Sequence, residues 1–453
     1  MNIVIVGIGK IGKLLTRHLS IENHNIVCID SKQSIIDATV NEFDVMGYVG
    51  NGASYQTLVD ASVATFDLLI ATTPNDETNI LCCLVAKKLG IKQTIARVRN
   101  PEYQVQAQMM HAELGISEML NPDLDTANEI FRIMRFPSAL KVETFANGKV
   151  DLVEIKLDNK SPLVGVSLLK IRDKFNLTIL VCAVKRGEEV IIPNGDFVLA
   201  EGDNVYITGE SQEIEKAFRK FNIYKNKMKN VIIIGGGNIS YYLASMLLES
   251  GVSIKLIDNN KKKCEEFSDA FPKVLVLNGD ANNQSLLLKE GLSQADCLVS
   301  LTGFDETNII ASTFAKSVNC SKIITKVSNA NYDLVLERIG VDSVVSPVEI
   351  FANNTIRYVR GMQGGETRST EFKTLYRLVG NRVEAIEFLV DKPTAYTSVP
   401  IKDLHIKKNY LLACIIRENK VIIPSGKDTI EPLDSIIIIT TNPQLNDVGE
   451  ILP

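Results

Sequence analysis

The chain carries one nucleotide-binding pattern twice, and that duplication narrows the folds open to it. Asn2-Ile3-Val4-Ile5-Val6 runs into Gly7-Ile8-Gly9-Lys10-Ile11-Gly12. Val231-Ile232-Ile233-Ile234 runs into Gly235-Gly236-Gly237-Asn238-Ile239-Ser240. Each is a short apolar run, a glycine-rich turn and a helix-like segment. Each is followed by a second apolar run ending in aspartate, Ile26-Val27-Cys28-Ile29-Asp30 and Ile254-Lys255-Leu256-Ile257-Asp258. One glycine fingerprint is weak evidence. Two, each with an aspartate at the same remove, predict paired dinucleotide folds.

The repeat extends beyond the loops. The interval from Gly7 to Gly235 equals that from Asp30 to Asp258. After one inserted position Asp76-Glu77-Thr78-Asn79 matches Asp305-Glu306-Thr307-Asn308, and Tyr103 matches Tyr332. Later, Val190-Ile191-Ile192-Pro193-Asn194-Gly195 matches Val421-Ile422-Ile423-Pro424-Ser425-Gly426. The whole chain is a tandem duplication. Each half, roughly 225 residues, exceeds one Rossmann core and predicts an added small domain.

Up to about residue 120, short apolar runs alternate with helical stretches. Strands are expected at 2–6, 25–29, 45–49, 67–71 and 94–98, and helices at about 10–20, 32–40 and 78–89. This alternation predicts an α/β fold with a doubly wound parallel sheet. A helix follows from Asp123 to Arg135, ended by Pro137. Residues 141–215 change character. Val142 to Phe145, Val150 to Leu157, Thr178 to Val184 and Asn204 to Thr208 read as strands. Turn signals stand at Asn147-Gly148, Pro193-Asn194-Gly195 and Glu201-Gly202-Asp203. That predicts a small α+β domain. The second half repeats the order, giving boundaries at 1–122, 123–140, 141–225, 226–346, 347–365 and 366–453.

Composition excludes several classes. With 453 residues, 45% apolar and a net charge of −5, the chain suits several hydrophobic cores and argues against nonspecific nucleic-acid binding. The basic stretch Lys225-Asn226-Lys227-Met228-Lys229-Asn230 is short and reads as a linker. No run approaches the ~18 apolar residues a membrane span needs. No signal-peptide pattern opens the chain, so a cytosolic protein is expected. The eight cysteines form no Cys-x-x-Cys pair, and Cys82-Cys83 reads as core. His18, His24, His111 and His405 have no metal-ligand spacing, and no metal site is expected.

In the first half, Gly7 and Gly9 permit a tight turn and close approach of a pyrophosphate to the N–H groups opening the helix. Asp30 stands where a carboxylate bonds both ribose hydroxyls and repels a 2′-phosphate. This favours NAD(H) or an adenine nucleotide over NADP(H). The alternative is an unoccupied Rossmann relic. The second loop places Ser240 at the third glycine position, where a side chain crowds helix–strand packing, so an empty or altered site is open there. At the pocket edge Gly50-Asn51 matches Gly279-Asp280, Thr72-Thr73 matches Leu301-Thr302, and Arg97 matches Lys326. Lysine lacks the arginine fork, so the two sites can differ in ligand preference. Arg97 can equally be the partner of a nearby carboxylate. The Asp-Glu-Thr-Asn blocks read as helix-start capping rather than catalysis. Asp125, Glu129, Arg132 and Arg135 read as solvated or interface charges. The accessory domains hold almost no histidine to serve as acid or base beside a nicotinamide, and no catalytic residue is assigned.

The order of glycine fingerprint, Asp30, Gly50-Asn51, Thr72-Thr73-Pro74-Asn75-Asp76-Glu77-Thr78-Asn79 and Ala96-Arg97-Val98-Arg99-Asn100-Pro101-Glu102-Tyr103 resembles the regulator-of-potassium-conductance (RCK, or KTN) family. The tandem order, with a β-rich domain after each copy, is similar to that of peripheral subunits of Trk-type potassium-uptake systems. In the second half, Lys326-Val327-Ser328-Asn329-Ala330-Asn331-Tyr332 keeps only part of the later block. The resemblance implies a non-enzymatic cytosolic regulator. Its ligand would be NAD(H), or ATP or ADP as in some relatives. It would assemble as a homo-oligomer, a tetramer forming a ring of RCK domains, on the inner face of the membrane below an integral potassium-translocating subunit. Carried over, one site comprises Gly7, Ile8, Gly9, Lys10, Ile11, Asp30, Asn51, Thr72, Thr73 and Arg97. The other comprises Gly235, Gly236, Gly237, Asn238, Ile239, Asp258, Gly279, Asp280, Thr302 and Lys326. Lys10 stands where some relatives place a basic residue near a terminal phosphate, and Asn238 is its neutral counterpart. The helices from Asp123 and Pro347 match crossover helices. Two other readings stay open: a soluble NAD-dependent oxidoreductase, and a regulator of another membrane transporter.

Overall fold

Apolar runs without alternation suit strands covered on both faces, and the first one behaves so. Strand β1 (Asn2–Val6) is buried from Ile3 onward and lies at the centre of a six-stranded parallel sheet. The computed structural model describes residues 1–106, 109, 113–223, 228–329, 332–339, 341, 343–362, 370–379, 382–418, 420–442 and 445–452. His111, the linker at Lys225–Lys227, Ala330-Asn331 and the end of the helix expected over 347–365 lie outside them.

The other strands of that sheet are β2 (Asn25–Asp30), β3 (Met46–Val49), β4 (Leu68–Ala71), β5 (Gln93–Arg97) and β6 (Glu118–Leu120), in the order β3-β2-β1-β4-β5-β6. This is the doubly wound dinucleotide-fold order, with its switch point between β1 and β4. The first helix, Lys10–Ile21, starts after the extended Gly9 and buries Ile11, Leu15 and Leu19 along one stripe. The helix expected at 78–89 begins earlier, at Asp76, because Asn75 accepts the Thr78 N–H as its cap. Strand β6 is three residues long and gave no periodic signal.

The remaining strands are β7 (Lys141–Phe145), β8 (Val150–Lys156), β9 (Leu180–Arg186), β10 (Glu189–Ile191), β11 (Asn204–Glu210), β12 (Asn230–Ile234), β13 (Ser253–Asp258), β14 (Leu275–Asn278), β15 (Cys297–Ser300), β16 (Ile323–Lys326), β17 (Ser343–Val345), β18 (Thr370–Leu378), β19 (Val383–Val390), β20 (Tyr410–Arg417), β21 (Lys420–Ile422) and β22 (Ser435–Thr440). The second parallel sheet, β14-β13-β12-β15-β16-β17, repeats the first. Two antiparallel sheets, β10-β9-β11-β8-β7 and β18-β19-β22-β20-β21, share one topology. In chain order each half is therefore a Rossmann-type sheet followed by a smaller α+β domain.

By contacts the chain interleaves. Met1–Phe131 and Lys229–Ile356, the two parallel sheets, form one unit; Arg132–Met228 and Arg357–Pro453, the two antiparallel sheets, form the other. In the second unit Phe145, Val150, Cys182, Tyr206, Leu378, Ala385, Cys414 and Ile437 belong to one apolar cluster drawn from both sheets. All eight cysteines are buried and free, Cys82 and Cys83 in the first sheet's core.

The duplicated turns before β11 and β22 differ by one strained residue. Arg186 bonds the buried Asp203, and Arg417 bonds the buried Asp434, with the same geometry. Beside them Gly202 has φ +84°, but its counterpart Leu433 is held at φ +71° with its side chain 73% exposed. A left-handed leucine costs about 1–2 kcal/mol, and glycine's larger unfolded-state entropy offsets part of that. Leu433→Gly is therefore expected to raise stability by up to about 1 kcal/mol in chemical denaturation. A loss would mean that the exposed side chain has a packing role.

Candidate functional site

Each parallel sheet opens a crevice at the carboxyl ends of its strands. At the first, Gly7 has φ +86°, and a Cβ there would stand 2.8 Å from the Thr73 backbone nitrogen. A Cβ on Gly12 would lie 2.2 Å from the Gly7 carbonyl oxygen. Both glycines are thus required by packing. Gly9 differs: nothing lies within 4 Å of its would-be Cβ. The open face above the helix N-terminus is therefore at Gly9, where a phosphate would approach N–H groups. Ile8 and Ile11 point into the core and offer only backbone to the crevice.

Asp30 fastens this loop. Its carboxylate accepts the Ile8 N–H at 2.8 Å and the Lys32 N–H at 3.0 Å. Each oxygen keeps a lone pair for a ribose hydroxyl. Asp258 repeats the arrangement with the N–H groups of Gly236 at 2.7 Å and Asn260 at 2.7 Å. Asn51, after β3, accepts the Ala53 N–H, and Asp280 accepts the Asn282 N–H. Gly50 and Gly279 each donate to the carbonyl of the aspartate, Asp30 or Asp258. The loop after β3 or β14 is thereby tied to the aspartate strand. Gly237, like Gly9, faces open space, and Gly235 has φ +99°.

The third-glycine position is solved differently in the two halves. In the first, the buried Thr72 donates its hydroxyl to the Gly7 carbonyl at 2.7 Å. In the second, the Thr72 counterpart is Leu301, which has no donor. Ser240, fully buried where the first half has Gly12, donates its hydroxyl to the Gly235 carbonyl instead. The crowding expected of Ser240 is answered by a hydrogen bond that the Thr72-to-Leu301 exchange left open. Ser240→Ala is expected to destabilise the protein by about 1–3 kcal/mol, the cost of an unsatisfied buried carbonyl. Adding Leu301→Thr should recover most of it; additive losses in this double-mutant cycle would refute the exchange.

The Asp-Glu-Thr-Asn blocks do more than cap. Asp76 accepts the N–H groups of Arg99 and Asn100, and Asn79 accepts the Thr73 N–H while donating to the carbonyls of Thr73 and Arg97. They latch the loop after β4 to the end of β5. Asp305 and Asn308 do the same with Ser328, Thr302 and Lys326. Tyr103 donates to Glu77, and Tyr332 to Glu306, completing each latch and holding the glutamates below their usual range. The spacing of the repeated tetrapeptide was visible in the sequence, but its partners are some twenty residues away and were not.

Arg97 donates to the Thr73 carbonyl at 3.2 Å, while its buried Nε has no hydrogen-bond partner among the described residues. Burial, with Arg99 nearby, pulls its guanidinium down to about 10, so it stays charged at neutral pH. It is Arg99 that meets the carboxylate, Asp76, at 3.5 Å. Lys326, also pulled down by burial, points towards the Leu301 carbonyl at 3.5 Å.

The two crevices adjoin within their unit. The second loop's Asn238 donates to the Arg99 carbonyl at 3.4 Å, and Tyr242 on the following helix reaches the same carbonyl at 3.2 Å. Asn121 donates to the Tyr242 hydroxyl at 2.9 Å, closing this seam. On the opposite seam the Tyr242 counterpart is Leu14, and a groove of about 380 Å³ remains, lined by Lys10, Lys13, Arg17, Ser328 and Val348 among others. Asp125 on the helix Pro122–Arg135 accepts Asn354 of the helix Pro347–Met362 at 2.7 Å. The roles of Arg99, Asn121, Asn238 and Tyr242 across the seam depend on pairing between halves, which no local pattern announces. Among the described residues no cluster of three metal-ligating side chains occurs, and no helix is long and apolar enough to cross a membrane.

Two dinucleotide-type crevices facing one another, each followed in the chain by a small antiparallel domain, define a tandem RCK-type protein. A family model for the TrkA-N domain matches residues 3–122 and again 231–347, and one for the TrkA-C domain matches 152–222. The chain belongs to the TrkA family. It is 31% identical over 451 residues to the "Trk system potassium uptake protein TrkA homolog" of Archaeoglobus fulgidus, with all of both chains covered. Among solved structures it is similar in fold to the GsuK RCK domain, at a TM-score of 0.63 and 19% identity, covering 98% of this chain and 93% of that one. A GsuK channel bound to NAD matches at a TM-score of 0.63 and 18% identity over 98% of this chain and 77% of that one. These relatives are potassium-uptake and channel proteins, and the oxidoreductase reading is set aside.

Proposed function

We propose that this chain is a nucleotide-sensing regulatory subunit of a potassium-uptake system. In this reading NAD(H), or ADP or ATP, occupies both crevices, and the chain acts on an integral membrane potassium-translocating subunit. The observation that supports it most is the preserved open face at Gly9 and at Gly237, each backed by a carboxylate holding the loop from the end of the second strand. Asp30 and Asp258 would hold the adenosine ribose, the N–H groups after Gly9 and Gly237 the phosphates, and Arg97 or Lys326 the far end of the ligand. The choice of ion and of a membrane partner draws on the names of the relatives, a potassium uptake protein and a channel. A ring-like homo-oligomer docked on the inner membrane face belongs to the same reading.

The seam gives the reading a physical route. The loop from Arg97 to Asn100 belongs to the first crevice, yet its Arg99 carbonyl receives Asn238 and Tyr242 from the second half. A ligand that moves this loop therefore moves the helix opening the second crevice. Only differential affinity for two arrangements can do work, and a tenfold preference supplies about 1.4 kcal/mol per site. Several coupled sites would make a firm switch.

The test is potassium uptake in cells that depend on this chain and its membrane partner. With Asp30→Ala and Asp258→Ala combined, uptake should lose its response to the nucleotide pool. Unchanged nucleotide-dependent uptake in that variant would falsify the proposal.

A further inference from the structure

The outer edges of the two parallel sheets are guarded differently. In the first sheet the edge strand is β3 (Met46–Val49), which pairs with β2 alone. The Gly50 N–H bonds the Asp30 carbonyl on the β2 side, so alternation along the strand turns the N–H and C=O groups of Gly47 and Val49 outward. No described residue pairs with them. Met46 and Val49 on the strand, and Tyr55 and Val59 on the helix Tyr55–Asp60 that follows it, are 41–62% exposed. Val40, equally exposed, lies over Gly47 from the helix Gln33–Glu42. The charges around this edge are the exposed Asp37, Asp44 and Asp60 against Lys32. Asp37 and Asp60 accept the amides of Gln33 and Gln56, which bring no charge, and Glu42 is paired with Lys13 at 2.5 Å.

The second edge strand, β14 (Leu275–Asn278), is closed. Pro272-Lys273 stands where the first half has Asp44, and Lys289 where it has Asp60. Lys261, Lys262 and Lys263 replace Gln33, Ser34 and Ile35. Glu265, Glu266 and Asp269 offset part of this charge, the first two at 3.8 and 3.6 Å from Lys261 and Lys262, and Lys255 is paired with Glu290 at 3.2 Å. Val40, Val49 and Tyr55 become Ser268, Asn278 and Gln284, while Leu275 and Leu288 answer Met46 and Val59. Lysine and proline at a sheet edge block the addition of a further strand. One edge of the duplicated fold carries these guards, and the other is open, apolar and rimmed with acid.

The open edge describes its occupant. An extended segment with apolar side chains and positive charge would bond the outward groups of Gly47 and Val49, cover the apolar side chains and meet the aspartates. A second copy does not fit: its own β3 edge repeats the same aspartates, and its β14 edge is guarded. An anionic lipid surface would repel Asp37, Asp44 and Asp60. Cytoplasmic segments of integral membrane proteins carry an excess of lysine and arginine. Resting on the regulatory-subunit reading, we propose that the β3 edge of the first half docks a basic, extended cytoplasmic segment of the integral membrane subunit, which joins the sheet as a strand beside Met46–Val49.

The experiment is photo-crosslinking in cells that hold the full-length chain and its membrane subunit. A benzophenone amino acid replaces Met46 or Val59 and, for comparison, Leu275 or Leu288. The first two positions should give an adduct with a lysine- or arginine-bearing cytoplasmic segment of the membrane subunit, and the last two should not. Val49→Pro removes one outward N–H at a place where an edge strand tolerates proline. Asp44→Lys with Asp60→Lys installs the second half's guards. Each should weaken association of the two subunits by at least about tenfold, while NADH and ATP binding by the full-length chain stays within about twofold. Lys273→Asp with Lys289→Asp should leave association unchanged. Adducts from Met46 and Val59 positions with a second copy or with lipid, equal adducts from all four positions, or no loss in either edge variant overturn the docking site and leave the regulatory reading standing. Failure of the parent chain to associate with any membrane subunit overturns both.

Discussion

Gly7→Val is expected to take nucleotide binding at the first crevice below detection and to lower stability as well, whereas Gly9→Ala should remove binding alone. The difference follows from what each missing Cβ would meet. At Gly7 the chain is left-handed, which costs a side-chain-bearing residue about 1–2 kcal/mol. The new Cβ would also press within 2.8 Å of the Thr73 backbone nitrogen, and overpacking of that kind costs about 1–3 kcal/mol. Thr73 is latched through Asn79 to the end of β5, so the strain reaches the whole rim. At Gly9, φ is −76° and the would-be Cβ has nothing within 4 Å. Alanine fits the fold there but occupies the space through which a phosphate meets the helix N–H groups. Calorimetric titration should show two nucleotides per chain in the parent and one in either variant. Thermal unfolding should be shifted in Gly7→Val only. Two sites persisting in Gly9→Ala would mean that the ligand does not enter over this loop.

The second large effect is structural. Arg360 is 1% exposed and forms a two-pronged bond to Glu384 at 2.8 and 3.0 Å, and Arg377 donates to the same carboxylate at 3.3 Å. Glu384→Ala leaves two buried guanidinium groups without the carboxylate they share. Breaking such a buried network by removing one member costs about 3–5 kcal/mol. In a unit of this size that corresponds to a fall of roughly 6–20 °C in Tm. Replacing all three residues by methionine should recover most of the loss, because the desolvation cost of the charges disappears with them. If the triple variant is no better than Glu384→Ala, the ionic network contributes packing that apolar side chains of similar volume cannot.

The parallel sheets were legible because strands such as Ile3–Val6 are unbroken apolar runs and the helix Lys10–Ile21 has a clean stripe. Duplication then supplied an internal control: a feature present at both Asp30 and Asp258 is not chance. What stayed hidden has a common physical cause. Strand β6 and its twin β17 are three residues long, too short for a period to show. The latch role of Asp76 and Asn79 is made with backbone groups of Arg97 to Asn100, and nothing in a capping pattern reveals a distant partner. Ser240 looked like a defect when its own position was considered alone. Its meaning emerged only with Leu301, sixty residues on, where the first half keeps a hydroxyl donor.

That exchange, with the Lys10–Asn238 pair, has a consequence for why the halves share one chain. Two identical subunits meeting about a twofold axis must repeat every contact, residue i against residue j at one place and j against i at the other. Each improvement for one crevice would be imposed on the other. Joining the copies end to end lifts that constraint, since each position can then mutate once rather than twice. The linkage also keeps the copies together at an effective concentration on the order of millimolar, so neither needs a strong symmetric interface to find its mate. A serine in one loop and a glycine in its twin, or a lysine matched by an asparagine, is an arrangement that two copies of a single sequence cannot hold.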